Sequence, residues 1–219
     1  MDWELDHVFI GASNPRCEAV ASEFGMTFTE RRAHKGQGTT NACALFENGF
    51  FELLFASNPD ELESDIVRPL GLNERIHWQR TGACPFGICF RPTVPLFDDV
   101  TLPFETWPYR PAYVSDSSSI PIVTPRRSLF EPLVFLMSRP RPPAMSSNGV
   151  LHRGSKRNLT AVTLESPHDV QSPAVRWFTD NGLLSLARGT EYQMSLVLDA
   201  GRAGMVERLT ELLPLTVSW

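Results

Sequence analysis

The sequence has little lysine, little cysteine and no long apolar run. No stretch of its 219 residues approaches the roughly 18 to 20 consecutive apolar residues of a membrane-spanning helix. The first residues, Met1 to Glu4, are acidic, whereas a secretory signal needs positive charge followed by a hydrophobic run. These features predict a cytoplasmic protein with no membrane partner. The contents of hydrophobic residues (42%) and charged residues (21%) are ordinary for globular proteins and exclude a disordered tail or a fibre.

The four cysteines and the charge balance exclude further classes of protein. No C-x-x-C pair occurs, so we expect buried free thiols rather than a disulfide framework or a zinc ribbon at Cys17, Cys43, Cys84 and Cys89. The net charge of -5 disfavours binding to nucleic acid or to an anionic membrane, because both need a positive surface. The only lysines are Lys35 and Lys156, so a local anion site would use arginine, although a high arginine content also follows from genome composition.

The chain begins with a pattern typical of a strand followed by an amphipathic helix. Leu5 to Gly11 is a short apolar run that ends at glycine, which predicts a buried strand. Asn14 and Pro15 are a typical N-cap and first helical residue, and Gly25 indicates the end of the helix. Between them, apolar residues recur at helical spacing at Cys17, Val20, Ala21 and Phe24.

Two further strands, 39–46 and 50–55, are predicted to form a hairpin. Asn48-Gly49 lies between them, and this dipeptide is typical of a two-residue turn in which both residues need positive φ. This register pairs Phe46 with Phe51 and Leu45 with Glu52. Because side chains alternate along a strand, one face would carry Asn41, Cys43, Leu45 and Glu52.

A related order of elements recurs late in the chain. Leu159 to Leu164 indicates a strand, Ser172-Pro173 the start of a helix and Gly182 its end. Further strands are indicated at 192–198 and 215–219. Aligning Leu5 with Leu159 places Ala161 at the position of His7, and two copies of one unit predict pseudo-twofold packing. Chance similarity between two strand-helix units is the alternative.

The middle of the chain is rich in both proline and aromatic residues. Residues 92–143 contain 11 of the 18 prolines, a density typical of linkers. The same residues include too much aromatic surface to leave in water, so we expect an ordered covering segment of short strands. Its clearest strand is Leu133 to Met137.

His7 and Glu52 are the strongest candidates for chemistry. Glu52 lies within Phe50 to Phe55, where burial without a partner would cost several kcal/mol, so the carboxylate needs a cation, a metal, hydrogen-bond donors or a raised pKa. His7 lies inside the first apolar strand, and the two side chains together suit a divalent metal. The alternatives are a core histidine and a glutamate that points to solvent.

Three segments, 5–8, 34–41 and 51–54, resemble the glyoxalase-like branch of the vicinal oxygen chelate superfamily, and 85–92 extends the resemblance. The resemblance implies an α+β fold in which paired βαβββ modules form a curved mixed sheet around a central cavity. We expect a single domain divided into three parts, which are module one (1–91), an inserted proline- and aromatic-rich covering segment (92–158) and module two (159–219).

The resemblance also implies a ligand set for a metal. In metal-using members, a histidine on the first strand and a glutamate on the fourth are ligands, and these match His7 and Glu52. The divalent metal would be Zn, Ni, Mn or Fe. The second module usually supplies two more ligands, but Ala161 replaces the first of them and no carboxylate occurs in Leu215 to Trp219. Other residues that could serve instead are His34, His152 and Glu131.

Two groups of residues are candidates for contacting a substrate. His34, Gln37 and Asn41 flank or follow a glycine-rich turn and could present polar groups to a ligand, or the turn could simply shape the next strand. Trp107 and Arg110 lie in the covering segment, where an aromatic wall with a guanidinium suits a planar or anionic small molecule. The alternative is that the aromatic rings are only the hydrophobic cover.

These features support competing functional hypotheses. As an enzyme, the protein would use a metal held by His7 and the catalytic Glu52 to polarise adjacent oxygens of a small substrate, as a lyase, an isomerase or a dioxygenase. The missing ligand at Ala161 favours a non-catalytic protein that sequesters a small molecule, like the metal-free resistance proteins of the superfamily. A third hypothesis is an interaction module, and modules of this kind often pair as homodimers. No motif of serine hydrolases, nucleotide-binding proteins or zincins occurs.

Overall fold

The computed structural model describes residues 3–23, 25–95, 102–114, 118–140, 157–170, 172–209 and 212–219. The strands are β1 (Trp3–Gly11), β2 (Arg32–His34), β3 (Thr39–Leu45), β4 (Phe50–Ala56), β5 (Phe86–Pro92), β6 (Trp107–Tyr109), β7 (Ile120–Ile122), β8 (Leu133–Leu136), β9 (Leu159–Ser166), β10 (Ser185–Arg188), β11 (Gln193–Leu198), β12 (Val206–Arg208) and β13 (Leu215–Ser218). The α-helices are α1 (Arg16–Glu23), α2 (Pro59–Leu62), α3 (Leu72–Ile76), α4 (Trp78–Thr81) and α5 (Pro173–Asp180), and 3-10 turns occur at Arg68–Leu70 and Asp199–Gly201.

Eight strands form one curved mixed sheet in the order β2-β3-β4-β1-β5-β8-β7-β6. At its centre β1 and β5 run antiparallel, and each has a parallel neighbour on its other side, β4 for β1 and β8 for β5. The sheet therefore consists of two four-stranded halves that meet at an antiparallel seam. The α+β class and the curved mixed sheet of paired modules are confirmed.

The second half of this sheet comes from residues 86–136, which differs from the prediction that 159–219 supply it. Strands β9 to β13 form a separate five-stranded sheet in the order β10-β9-β11-β13-β12. The proline-rich segment supplies β6, β7 and β8, so it contains short strands as expected. The sequence did not reveal a second module here because the described residues between β5 and β6 contain no helix, and the prolines interrupt the strand pattern.

The two faces of the eight-stranded sheet have different surroundings. The outer face packs into a large core that also includes α5 and the five-stranded sheet. In this core the ring of Phe178 from α5 stacks on Phe90 of β5, with centroids 4.0 Å apart and planes 4° apart. The inner face is concave and carries the alternate side chains, such as Phe50, Glu52 and Leu54 of β4. One face thus stabilises the sheet by apolar burial, and the other is available for a ligand.

The first strand and helix are as predicted. Asn14 caps α1, because its Oδ1 accepts a hydrogen bond from the backbone N–H of Arg16 at 2.9 Å. Cys17 and Ala21 are buried on one side of the helix, and Gly25 follows it with φ of +85°. Phe24 lies outside the described residues. The local sequence signals were therefore sufficient for this unit.

The hairpin register differs from the prediction by two residues. Cys43 lies opposite Glu52 and Leu45 opposite Phe50, so the loop has four residues rather than two. Neither Asn48 nor Gly49 has positive φ. The Asn48 side chain instead forms two hydrogen bonds of 2.8 Å with the backbone of Leu159, at the start of β9. Within the loop the N–H of Phe46 donates to the carbonyl of Gly49 at 2.8 Å, and Asn48 ties the hairpin to the second sheet.

Among the described residues, none of the helices has the length and apolar character that crossing a membrane would require.

Candidate functional site

A cavity of about 740 Å³ lies against the inner face of the eight-stranded sheet. Its walls are mainly apolar, and they are formed by side chains from both halves of the sheet and from the segment that includes Leu70 and Leu72. Cavities of this size and character are typical of small-molecule sites. Five of the predicted site residues line it, namely His7, His34, Gln37, Asn41 and Glu52.

Glu52 is the buried carboxylate of this cavity. It lies on β4 between Cys43 of β3 and Phe9 of β1, and only 6% of its surface is exposed. Burial raises the pKa of Glu52, and the opposing effects of His7 and a hydrogen bond from Asn41 do not cancel that increase. The carboxyl group therefore stays protonated to a higher pH than an ordinary glutamate. A group of this kind can act as a general acid or a general base.

His7 is oriented by Asp6, a neighbour that sequence reasoning did not select. The register between β1 and β5 shifts between Leu5 and His7, which is a β-bulge. Bulges redirect side chains, and here Asp6 Oδ2 lies 3.0 Å from His7 Nδ1. The other ring nitrogen, Nε2, lies 3.9 Å from Glu52 Oε2. The ring of His7 stacks on Phe50 with centroids 4.1 Å apart, which also fixes its plane.

His7 and Arg91 together lower the pKa of Asp6. Burial alone would raise the pKa of Asp6, but the hydrogen bond with His7 and the charge of Arg91 outweigh it, so the pKa lies below its ordinary value. Arg91 Nη2 forms a buried ion pair with Asp6 Oδ1. An ionised Asp6 accepts a hydrogen bond from Nδ1–H of His7, which leaves Nε2 facing Glu52. The four side chains form one connected series from β5 through β1 to β4.

The donors that could hold a metal fall into two sets that share His7. Asp6, His7 and Cys89 have ligand atoms within 4.8 Å of one another, but Asp6 is already paired with Arg91 and burial raises the pKa of the Cys89 thiol well above its ordinary value. The second set is His7 Nε2 and Glu52, which face the cavity. This pair fits two positions of a divalent ion, and the rest of the coordination shell would come from water or substrate oxygens.

The other half of the sheet offers no equivalent donors within the residues that the structure describes. Leu133 and Phe135 of β8 occupy the inner face where β4 presents Glu52. Ala161, the position aligned with His7, is exposed on β9 and lies in the other sheet. The ligand missing at Ala161 therefore has no bearing on this cavity, and the carboxyl and imidazole groups that line it come from β1 to β4 and the segment before β2.

Gln37 joins the two halves of the sheet at one end of the cavity. Its Oε1 accepts hydrogen bonds from the hydroxyls of Tyr109 (2.8 Å) and Tyr113 (2.9 Å), and its Nε2 donates to Thr39 Oγ1 (2.8 Å). The amide is thus fully used within the protein. His34 Nδ1 lies 2.9 Å from the same Thr39 hydroxyl. Burial first, and the charges of nearby Arg32 and His7 next, lower the pKa of His34 to about 4.

The remaining predicted residues are distributed differently. Asn41 lies beside Glu52, and its Nδ2 also lies 3.4 Å from Cys43 Sγ. Trp107 is half-buried and its Nε1 donates to the carbonyl of Thr124 at 2.9 Å, while Arg110 is exposed, and neither lines the cavity. Glu131 accepts a hydrogen bond from Ser172 N, at the start of α5. His152 lies outside the described residues.

Sequence reasoning therefore missed Asp6, Arg91 and Arg32, whereas Tyr109 and Tyr113 belong to the aromatic residues of the covering segment that were predicted to contact a ligand, and both line the cavity. A charged residue inside the apolar run of β1 was the one available signal for Asp6. The partner of Asp6 lies 85 positions away along the chain, so only the pairing of β1 with β5 brings it into contact.

Comparison with known proteins gives one family and several similar folds. Residues 5–97 match the family model described as a glyoxalase-like domain. A hypothetical protein from Staphylococcus aureus has a similar fold, with a TM-score of 0.56 at 9% identity over 100% of this chain and 99% of that chain. Methylmalonyl-CoA epimerase from Mycobacterium tuberculosis has a TM-score of 0.36 at 15% identity, over 64% of this chain and 89% of that chain. None of the curated proteins matches the chain.

Proposed function

Because residues 5–97 match the glyoxalase-like domain family, as the sequence resemblance predicted, we propose that this protein binds a small molecule in the inner-face cavity and transfers a proton on it through Glu52. His7 acts beside Glu52, and Asp6 and Arg91 position His7. The observation that carries this proposal is a carboxyl group with a raised pKa, buried in an apolar cavity, 3.9 Å from an oriented imidazole nitrogen.

The proton transfer uses both forms of Glu52. The ionised carboxylate removes a proton from a carbon next to a carbonyl group, and the electron pair moves onto the carbonyl oxygen to give an enolate. The protonated Glu52 then returns the proton to carbon, at the same or a neighbouring position, or to a leaving group. The first outcome is an isomerase reaction and the second a lyase reaction. Apolar walls exclude water from the reacting atoms.

A second candidate function is metal-dependent chemistry. The approach of His7 Nε2 to Glu52 favours it, since these residue types would hold a divalent ion such as Zn, Ni, Mn or Fe. Such an ion supplies Lewis acidity toward adjacent substrate oxygens when bound, as lyases, isomerases and dioxygenases of the superfamily require. In that case His7 and Glu52 hold the ion, while Asp6 keeps Nδ1 protonated and Nε2 available for it.

Proton exchange tests the proposal directly. Aromatic and branched ketones and oxo acids, including phenylpyruvate, are incubated with the protein in D2O, and loss of the α-proton signal is followed by NMR. The wild type should accelerate exchange, and in Glu52→Gln the exchange rate should fall at least 100-fold. Glu191→Gln, a control at an exposed position, should keep the wild-type rate. Exchange that persists in Glu52→Gln contradicts the catalytic role.

Metal analysis separates the two candidate functions. Protein without a histidine tag is dialysed against excess divalent metals and its content is measured beside His7→Ala and Glu52→Ala. About one equivalent of bound metal in the wild type, lost in both variants, supports the metal-dependent function. Exchange that continues in the presence of a chelator supports direct acid-base catalysis. Ligand binding with no exchange under any condition supports the non-catalytic binding hypothesis and refutes proton transfer.

A further inference from the structure

Arg32 is a cation of the cavity that the proton-transfer site does not use. It lies on β2 directly opposite Asn41 of β3, so the two side chains share the inner face, and it lines the cavity. Its positive charge also acts on two other inner-face groups, lowering the pKa values of Cys43 and Tyr113 against the stronger effect of burial. Its guanidinium therefore lies near these polar groups of the cavity.

Arg32 has no hydrogen-bond or ion-pair partner within the described part of the chain, whereas its neighbour Arg31 has two. Arg31 forms a 3.0 Å ion pair with Glu18, and its guanidinium lies 4.0 Å above the ring of Phe55 on the opposite face. Glu30 is the other charged side chain at this edge of the cavity, and no ion pair joins it to Arg32 among the described residues. Of these two adjacent arginines, the inward one remains available to a ligand.

The carboxyl, imidazole and guanidinium groups that line the cavity all come from one half of the sheet and the segment before β2, and the other half adds apolar side chains and hydroxyls. His7, Glu52 and Asn41 lie on the half that contains β1 to β4, whereas Leu133 and Phe135 line the opposite half. An apolar body would therefore lie against β8, with its reactive carbon facing Glu52.

Building on the proposed function, we infer that the ligand is an apolar small molecule with one anionic group, such as a carboxylate, and that Arg32 binds this group. A guanidinium presents paired N–H donors that match a carboxylate or sulfonate, and charge-assisted hydrogen bonds of this kind are stronger than neutral ones. Arg32 would thus select acids over the corresponding neutral molecules and fix their orientation relative to Glu52.

Two fluorescent probes with the same rings test this inference. 1-Anilinonaphthalene-8-sulfonate carries an anionic group, and N-phenyl-1-naphthylamine is its uncharged counterpart. Affinities of both are measured for the wild type, Arg32→Gln, the adjacent control Arg31→Gln, and Leu133→Trp, which fills the part of the cavity beside β8. We expect Arg32→Gln to weaken the sulfonate about 10-fold and to change the neutral probe less than twofold. Salt should weaken sulfonate binding in the wild type but not in Arg32→Gln.

The outcomes distinguish this inference from the function on which it rests. In one outcome Leu133→Trp prevents binding of the neutral probe, but Arg32→Gln leaves the sulfonate affinity unchanged. This outcome refutes the role of Arg32 and still supports binding in the cavity. If Arg32→Gln weakens both probes equally, or Arg31→Gln weakens the sulfonate as much, the effect is structural or nonspecific and the inference also fails. If neither probe responds to Leu133→Trp, binding in the cavity itself is contradicted.

Discussion

Arg75 provides a sharp test of how this fold holds the cavity wall in place. Its guanidinium is fully buried and donates four hydrogen bonds, all to backbone carbonyls. Nε donates to Leu70 (3.2 Å), Nη1 to Cys84 (2.8 Å) and Glu131 (2.7 Å), and Nη2 to Ser128 (2.8 Å). One side chain therefore ties the segment that carries Leu70 to the residues before β5 and to those before β8.

Replacing Arg75 by methionine keeps an unbranched apolar stem that reaches about as far as Nε, but removes the rest of the guanidinium and every donor. Three of the four hydrogen bonds are fully buried, and each stranded carbonyl costs about 1–3 kcal/mol. Part of this loss is offset because the variant no longer buries a cation. We expect a net decrease of about 3–5 kcal/mol in the free energy of unfolding, the range measured when a buried charged network loses one partner.

Urea denaturation followed by tryptophan fluorescence measures this difference. Arg80→Met is the matched control, since Arg80 is exposed and its loss should change the free energy of unfolding by at most about 0.5 kcal/mol. Arg75→Lys should lie between the two, because an ammonium group cannot reach all four carbonyls at once. A value for Arg75→Met within about 1 kcal/mol of the wild type would refute the reasoning.

Three further predictions concern the site. The lowered pKa of His34, about 4 against 6.5, means that the unfolded chain takes up a proton first, so the wild type should lose up to about 3 kcal/mol as pH falls through this range. Denaturation curves at pH 7 and pH 4.5 should show no such loss for His34→Gln. If the wild type and His34→Gln lose the same stability between these pH values, the prediction is contradicted. The raised pKa of Glu52 has the opposite effect on the pH dependence of stability, which falls as pH rises above the ordinary value of 4.5. Glu52→Gln should therefore have a higher melting temperature than the wild type, and the difference should increase as the pH is raised. A difference in melting temperature that does not change with pH would exclude the titration of Glu52 as its cause. Gly87→Ala should weaken binding of N-phenyl-1-naphthylamine, because a Cβ there would overlap the ring of Phe9 on the cavity floor, and Phe9→Leu in the same chain should restore it. Unchanged affinity in Gly87→Ala would show that Phe9 does not shape the cavity.

Local patterns predicted the first module well. Asn14 and Gly25 are short-range signals for the ends of one helix, and each acts as expected. The inner face of β3 and β4 was also predicted correctly although the register was not, because a shift of two residues leaves every side chain on the same face. In the actual register Asn48 binds Leu159, a contact that the hairpin sequence alone does not contain.

Long-range pairings were beyond such patterns. The ion pair between Asp6 and Arg91 exists because β1 pairs with β5 through a bulge, and bulges have no reliable sequence signature. Gln37 was predicted to contact a ligand because of its glycine-rich turn, but the hydroxyls of Tyr109 and Tyr113 occupy its acceptor oxygen. Those tyrosines lie in the proline-rich segment, whose strands form only by pairing with β8 and with each other.

The five-stranded sheet has the same central arrangement as the larger one, with β9 and β11 antiparallel and each flanked by a parallel strand. The two sheets differ on the side away from the shared core. The larger sheet has the cavity there, whereas Thr160 and Ala161 of β9 are exposed and Val162 and Leu164 are buried against the core. This difference provides a site for chemical attachment. Labels or surface tethers can be attached at Ala161, for example through Ala161→Cys, at a position that lines neither the cavity nor the core. The chain thus offers an attachment point on the second sheet that lies outside both the cavity and the shared core.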